Sequence, residues 1–212
     1  MFLTFVVSKF KRNVAIFLSL IIIGLVVISI NFYRDPQRSI PIDKNIIVSP
    51  ADGKVISIDT VQDGEIPFTI KNGEMIYLPE LKGIIEGNFT MVSIFMGLFD
   101  VHVNRTPISG QVIDIIYIEG GHLPAFGNVL VENERNIVVI DGDIRTVTVQ
   151  IAGTVARRIE CYVDEGQILE RGDRIGIIKL GSQVVVMYPS ESSTTIKIGD
   201  NVKAGETVIA EI

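Results

Sequence analysis

Cysteine is almost absent from this chain of 212 residues, and the single one, Cys161, cannot close an internal disulfide, so no disulfide framework holds the fold. Alternating apolar residues beside it point to a structural thiol rather than a nucleophile. Acidic residues are missing from residues 1–34, which carry only Lys9, Lys11, Arg12 and Arg34; with a total charge of −6, the remainder therefore holds −10. A body that acidic is a poor general surface for nucleic acid. There is no His/Cys/Asp cluster at metal-ligand spacing and no glycine-rich phosphate loop, so neither a metal nor a nucleotide is expected. Heptad segments are missing too, which removes a long helical hairpin from consideration.

What is present first is a long apolar run. VAIFLSLIIIGLVVISINFY, residues 14–33, has no charge and matches the roughly 20 residues a bilayer-crossing helix needs. It ends in Phe32, Tyr33 and Arg34 rather than in the small residues of a cleavable signal, which suits a retained interfacial anchor. Basic residues stand on both sides (Lys9, Lys11 and Arg12; Arg34 and Arg38), so charge alone does not orient it. The next segment, RDPQRSIP (34–41), has two prolines and mixed charge and reads as an extended neck. The expected organisation is an anchor over 1–33, a neck over 34–41 and one β domain over 42–212.

Within that domain, short alternating or β-branched runs recur between turn signals: KVISI, NFTMVSIF, QVIDIIYI, NIVVI, RTVTVQI, RIGIIKL, QVVVMY, TTIKI and ETVIAEI. Asp63-Gly64, Asn72-Gly73, Gly120-Gly121 and Asp141-Gly142 supply turns, and only Val155 to Arg158 looks briefly helical. Two internal echoes stand out. PADGKVISI (50–58) resembles PISGQVIDI (107–115), and EGQILERGDRIGII (165–178) resembles IGDNVKAGETVIAEI (198–212). The second pair has the glycine-turn rhythm of lipoyl and biotinyl carrier domains, an analogy of fold only. The expected fold class is mainly β: a flattened, barrel-sandwich-like domain of half-barrel repeats, plus one N-terminal membrane helix.

Three segments carry chemistry-bearing residues: Ser49-Pro-Ala-Asp-Gly53, Phe99-Asp-Val-His-Val-Asn-Arg105 and Leu180-Gly-Ser-Gln183. Taken singly, Asp52 reads as a carboxylate closing a turn, His102 as a hydrogen-bonded histidine on a strand, and Gly181-Ser182 as a bulge. Jointly, and in this order, they resemble the phosphatidylserine decarboxylase family in its short, membrane-anchored microbial branch. The resemblance runs through FYRDPQRSIP, SPADGKV, FDVHVNRTPISGQV, NERN, ARRIECYV and ERGDRIGIIKLGSQVVVMYP, nearly the whole chain.

The resemblance implies a zymogen that cuts itself between Gly181 and Ser182 into fragments 1–181 and 182–212, which stay associated. Such chemistry suits these residue types: a serine hydroxyl needs a base and a permissive peptide, and a glycine carbonyl can be approached closely. Ser182 would become a pyruvoyl group that forms a Schiff base with the substrate amine and accepts electrons as the carboxylate leaves, without pyridoxal phosphate or metal. The implied roles are acid/base and orienting work for His102 and Asp52, and substrate binding by Asn104, Arg105 and His122. Longer relatives carry a second histidine where this chain has Arg105, which leaves open how the cutting step is driven. Substrate and membrane are implied partners, a serine phospholipid with acyl or archaeal ether-linked tails, worked on at the cytoplasmic face of the cell membrane; the oligomeric state stays open.

Weaker candidates are Arg157 and Arg158 as phosphate contacts, with Arg34 and Arg38 better placed at head-group depth. Two other classes of protein share parts of this pattern. A membrane-anchored lipoyl-like adaptor accounts for the architecture but not for FDVHVNR, and a serine hydrolase acting in trans through Ser182 would leave the Gly181-Ser182 bond intact.

Overall fold

The computed structural model describes residues 2–71, 74–84, 86–120, 134–152, 158–179 and 182–212. Helix α1 covers Phe2–Phe32, and its stretch Lys11–Phe32 is long and apolar enough to cross a membrane. It stops ahead of Pro36, whose ring disfavours helical dihedrals at Asp35. Among the described residues, sixteen strands follow: β1 (Ile46–Val48), β2 (Gly53–Val61), β3 (Phe68–Lys71), β4 (Glu74–Tyr77), β5 (Phe89–Met96), β6 (Val103–Arg105), β7 (Gly110–Ile118), β8 (Arg135–Asp141), β9 (Arg145–Ile151), β10 (Arg158–Cys161), β11 (Ile168–Leu169), β12 (Arg174–Lys179), β13 (Ser182–Pro189), β14 (Ser193–Thr194), β15 (Asn201–Val202) and β16 (Val208–Glu211). The fold is mainly β, as the alternation predicts.

The principal sheet runs β11, β7, β8, β9, β13, β5, β2, β15, an order that reads as two matching halves about its centre. Both sequence echoes fall on this symmetry. Gly53 and Gly110 each open a nine-residue strand that bulges after its third residue, at Val55/Ser57 and at Val112/Asp114. The second echo supplies the matching edge strands: β15 pairs with β2 at Lys54 and Gly53, and β11 pairs with β7 at Gln111 and Gly110. Even the bulge bonds repeat, with Val55 N–H donating to Asp200 O and Val112 N–H to Gln167 O, both at 2.9 Å.

Glycine at the start of each long strand is a packing requirement. A Cβ on Gly53 would lie 2.2 Å from Phe95 O, and one on Gly110 would lie 2.5 Å from Asp141 O. Gly53 also has φ +149°, a conformation that L side chains rarely adopt. Gly53→Ala is expected to destabilise the protein by more than about 1 kcal/mol, read as a lower denaturation midpoint.

The central strands bury both faces. In β13, Val184, Val186 and Tyr188 point into the core enclosed by the curled sheet, while Val185 and Met187 join a second cluster with Leu78, Leu81, Phe89 and Met91. Alternation sends successive residues to opposite faces, and two apolar faces produce the nearly continuous run QVVVMY. The β3–β4 hairpin lies against the outer face, where Thr69 Oγ1 meets Ser93 Oγ at 2.8 Å and accepts from Gln183 Nε2 at 2.6 Å.

Some expectations shift. TTIKI is strand only at Thr194, with Thr195 N–H still donating to Ile209 O at 3.0 Å, before Lys197 to Asp200 closes a turn. Arg158 opens a strand rather than extending a helix, and residues 155–157 lie outside the described residues. Cys161, on edge strand β10, is exposed.

Candidate active site at the anchor end of the sheet

Asp52, His102 and Ser182 come from distant parts of the chain, and the register brings their segments to one end of the large sheet. In the row across β2, β5 and β13, Lys54 pairs with Phe95 and Phe95 with Gln183. One step further along, Ser182 opens β13 opposite Met96, the last residue of β5. Asp52 and Gly53 enter β2 at the same end. His102 follows on the connection from β5 to β6, where its carbonyl accepts from Ile178 N–H at 3.3 Å. Since β12 leads directly toward Ser182, both connections join the same pair of sheets. Leu180, Gly181 and His122 lie outside the described residues.

His102 is fully buried. Its Nδ1 lies 2.9 Å from Asp100 O, and because a carbonyl only accepts, Nδ1 carries the hydrogen and Nε2 the lone pair. That Nε2 is buried and has no hydrogen-bond partner among the described residues, while Phe32, the last residue of α1, stacks over the ring at a centroid distance of 4.0 Å. Burial lowers the pKa of His102 below its usual 6.5, against the opposing pull of the Asp100 hydrogen bond and the charges of Asp100 and Asp52. Above pH 6.5 the imidazole is therefore neutral, with the Nε2 lone pair held among buried side chains.

Among the described residues, Asp52 is held by partners distant in sequence rather than closing its own turn. Its Oδ1 accepts from Ala204 N–H at 2.8 Å, just as Ser109 Oγ, its counterpart in the other half, accepts from Arg171 N–H at 2.9 Å. Both carboxylate oxygens also accept from Arg38 Nη2, at 2.8 and 3.0 Å. The arginine side chain is only 5 % exposed, so the neck residue read as a lipid contact is instead committed to Asp52. Removing either partner of so buried a pair would strand the other.

The neck makes a second such contact. Arg105 donates to Asp35 Oδ1 at 2.6 Å and to Gly172 O at 2.7 Å, and Arg174 holds the other oxygen of Asp35. Asn104 is buried, with its Oδ1 accepting from Gln150 Nε2 at 2.8 Å; Gln150 Oε1 in turn accepts from Asn136 at 2.9 Å. Sequence reasoning missed Phe32, Asp35 and Gln150 here. Only the mixed charge of the neck hinted that it had partners.

A buried histidine on one connection between the two sheets, under the end of a helix apolar enough to cross a membrane, calls for comparison with known proteins. The profile of the family described as Phosphatidylserine decarboxylase matches residues 27–210. A protein of Methanocaldococcus jannaschii, with the provisional name archaetidylserine decarboxylase proenzyme, is 42% identical over 96% of this chain and 97% of its own. The Burkholderia lata phosphatidylserine decarboxylase proenzyme is 41% identical over 89% of this chain and 80% of its own. The protein is therefore a lyase of the decarboxylase class. It belongs to the phosphatidylserine decarboxylase family. Membership removes the adaptor and hydrolase alternatives.

Proposed function

We propose that this decarboxylase acts on the serine head group of a membrane phospholipid, using a pyruvoyl group made from Ser182 by breaking the Gly181-Ser182 bond. The observation that carries the proposal is His102: a buried imidazole of lowered pKa whose Nε2 has no partner among the described residues, on a connection that bonds to the strand leading to Ser182. In the cutting step, Nε2 takes the Ser182 hydroxyl proton and Oγ attacks the Gly181 carbonyl carbon, so the amide becomes an ester and the nitrogen an amine. Loss of the Ser182 α-proton then expels the Gly181 carboxylate, and water replaces the nitrogen as ammonia leaves. The chain is then in two pieces, 1–181 and 182–212. The ketone so formed supplies an electron sink for loss of the substrate carboxylate.

The fit of this group rests on its surroundings. Proton movement there is assigned to His102, and orientation of the adjoining turn to Asp52, which Ala204 and Arg38 hold. Arg105 and Arg174 together hold one carboxylate, that of Asp35, and the anionic head group of a substrate would compete for that place. Asn104 keeps its segment in position through Gln150, and His122 is assigned to substrate binding on resemblance alone. The names of the relatives cover both acyl and archaeal lipids, which share the reacting serine. With α1 in the bilayer, the domain works at the membrane surface, which we assign to the cytoplasmic face.

Intact-mass measurement of the denatured protein tests this. Fragments 1–181 and 182–212 are expected, the smaller lighter than a serine peptide by the exchange of an amine for a ketone; an uncut chain in active protein rules the mechanism out.

The pH dependence follows from burial of His102. Because its folded-state pKa is lowered from 6.5, the acid limb of self-cleavage is expected below that value in a pH series on freshly made precursor. Stability moves with it. Between the two pKa values the unfolded chain binds more protons, so the His102 contribution is constant above 6.5 and stability falls as pH drops below it.

A further inference from the structure

The connection from β5 to β6 does more than carry His102. Its first turn, Gly97 to Asp100, is closed by Asp100 N–H donating to Gly97 O at 3.1 Å and by Gly97 N–H donating to Asp100 Oδ2 at 2.7 Å. This fixed turn pushes two large apolar side chains outward: Leu98 is 41 % exposed and Phe99 67 %. An isolated exposed leucine needs no explanation, but an adjacent pair on a rigid polar-closed turn has a position that does.

That position is given by the anchor. Arg34, two residues beyond the end of α1, donates from Nη2 to Phe99 O at 2.7 Å and from Nη1 to Asn31 O at 3.2 Å. One guanidinium thus ties the turn to the last turn of the helix. Tyr33, 59 % exposed, stands beside it. A helix that spans a bilayer places its terminal aromatic and arginine residues at head-group depth, so whatever is hydrogen-bonded to Arg34 lies at that depth too.

We infer that Leu98 and Phe99 are a second membrane contact, seated in the boundary between head groups and acyl chains of the bilayer that α1 spans. The inference rests on α1 crossing a bilayer, as the functional reading above has it. An aromatic and an aliphatic side chain on a short loop are the groups that interfacial elements bury there. The geometry links this seating to the site. Phe99 is followed by Asp100, whose carbonyl holds His102 Nδ1, so lipid against the turn bears on the segment that fixes the imidazole.

Tryptophan is absent from the chain, so a single introduced indole reports its own surroundings. Full-length protein carrying Phe99→Trp is reconstituted into phosphatidylcholine and phosphatidylglycerol vesicles, with part of the phosphatidylcholine brominated high on its acyl chains. Ile22→Trp, inside α1, reports the anchor, and Ile168→Trp, on the opposite edge strand β11 and 77 % exposed, reports water. The expected result is blue-shifted emission and bromine quenching for the variants at positions 22 and 99, with neither at 168. Quenching at 22 but not at 99 overturns the loop contact while leaving the anchor in place. Blue-shifted emission at 99 without quenching means that protein, such as a second copy, covers the turn, and also overturns it. No quenching at 22 removes the anchor reading and the loop contact with it.

Discussion

Ser182→Ala is expected to leave a single uncut chain with no decarboxylase activity. Position 182 begins β13 opposite Met96, and alanine retains the backbone N–H and carbonyl that make the pairing. Fold and membrane extraction should therefore be unchanged, with a denaturation midpoint within roughly the ±0.5 kcal/mol of a neutral substitution. What alanine lacks is the oxygen that, in the proposed mechanism, attacks Gly181 and later leaves with it. Neither acid/base catalysis nor strain replaces a missing nucleophile, so the loss of cutting is expected to be complete rather than partial. Denaturing electrophoresis and a decarboxylation assay on the same sample check both halves. A variant that is still cut would move the nucleophile elsewhere; one that is uncut yet active would separate decarboxylation from self-processing and remove the ketone from the mechanism.

Much of this arrangement is legible in the sequence where a residue type is forced locally. Gly53 and Gly110 cannot carry a Cβ without striking a backbone oxygen, so the half-barrel repeat shows through as PADGKV and PISGQV. The long central strands show through because both of their faces are apolar. What stays hidden is long-range and individual. Arg38 reaches Asp52 and Arg105 reaches Asp35 across 14 and 70 positions, by single guanidinium contacts that leave no periodic trace. Phe32 reads as interfacial anchor, and nothing in its neighbours says that its ring will lie on His102. Short strands fare worst: β3 and β4 have four residues each, too few to establish a period, although the Asn72-Gly73 turn signal falls between them. Cys161 shows the limit of alternation itself. Its flanking pattern suggests a structural thiol, yet β10 is an edge strand in which only Ile159 is buried and Cys161 is exposed.

The neck contacts also change what a histidine substitution would report. Replacing His102 removes the proposed proton carrier and, at the same time, the surface on which the end of α1 rests. His102→Ala is expected to abolish turnover and to abolish or slow self-cleavage, but it also leaves a void under Phe32. His102→Gln separates the two effects, because a glutamine amide fills most of the space and can still donate to Asp100 O, yet has no lone pair basic enough to take a proton near neutral pH. If the imidazole acts as base, the glutamine variant should fold with a nearly unchanged midpoint and still lose about 10²–10⁴-fold in turnover, the usual worth of a positioned acid/base group. Self-cleavage of the residual activity should also lose its acid limb, since the group that titrates below 6.5 is gone. Normal turnover by the glutamine variant would falsify the assignment, and an unchanged limb would point to a different titrating group. Should the alanine variant alone lose activity, the role of His102 would be to seat Phe32, and the anchor rather than the imidazole would be what the site depends on.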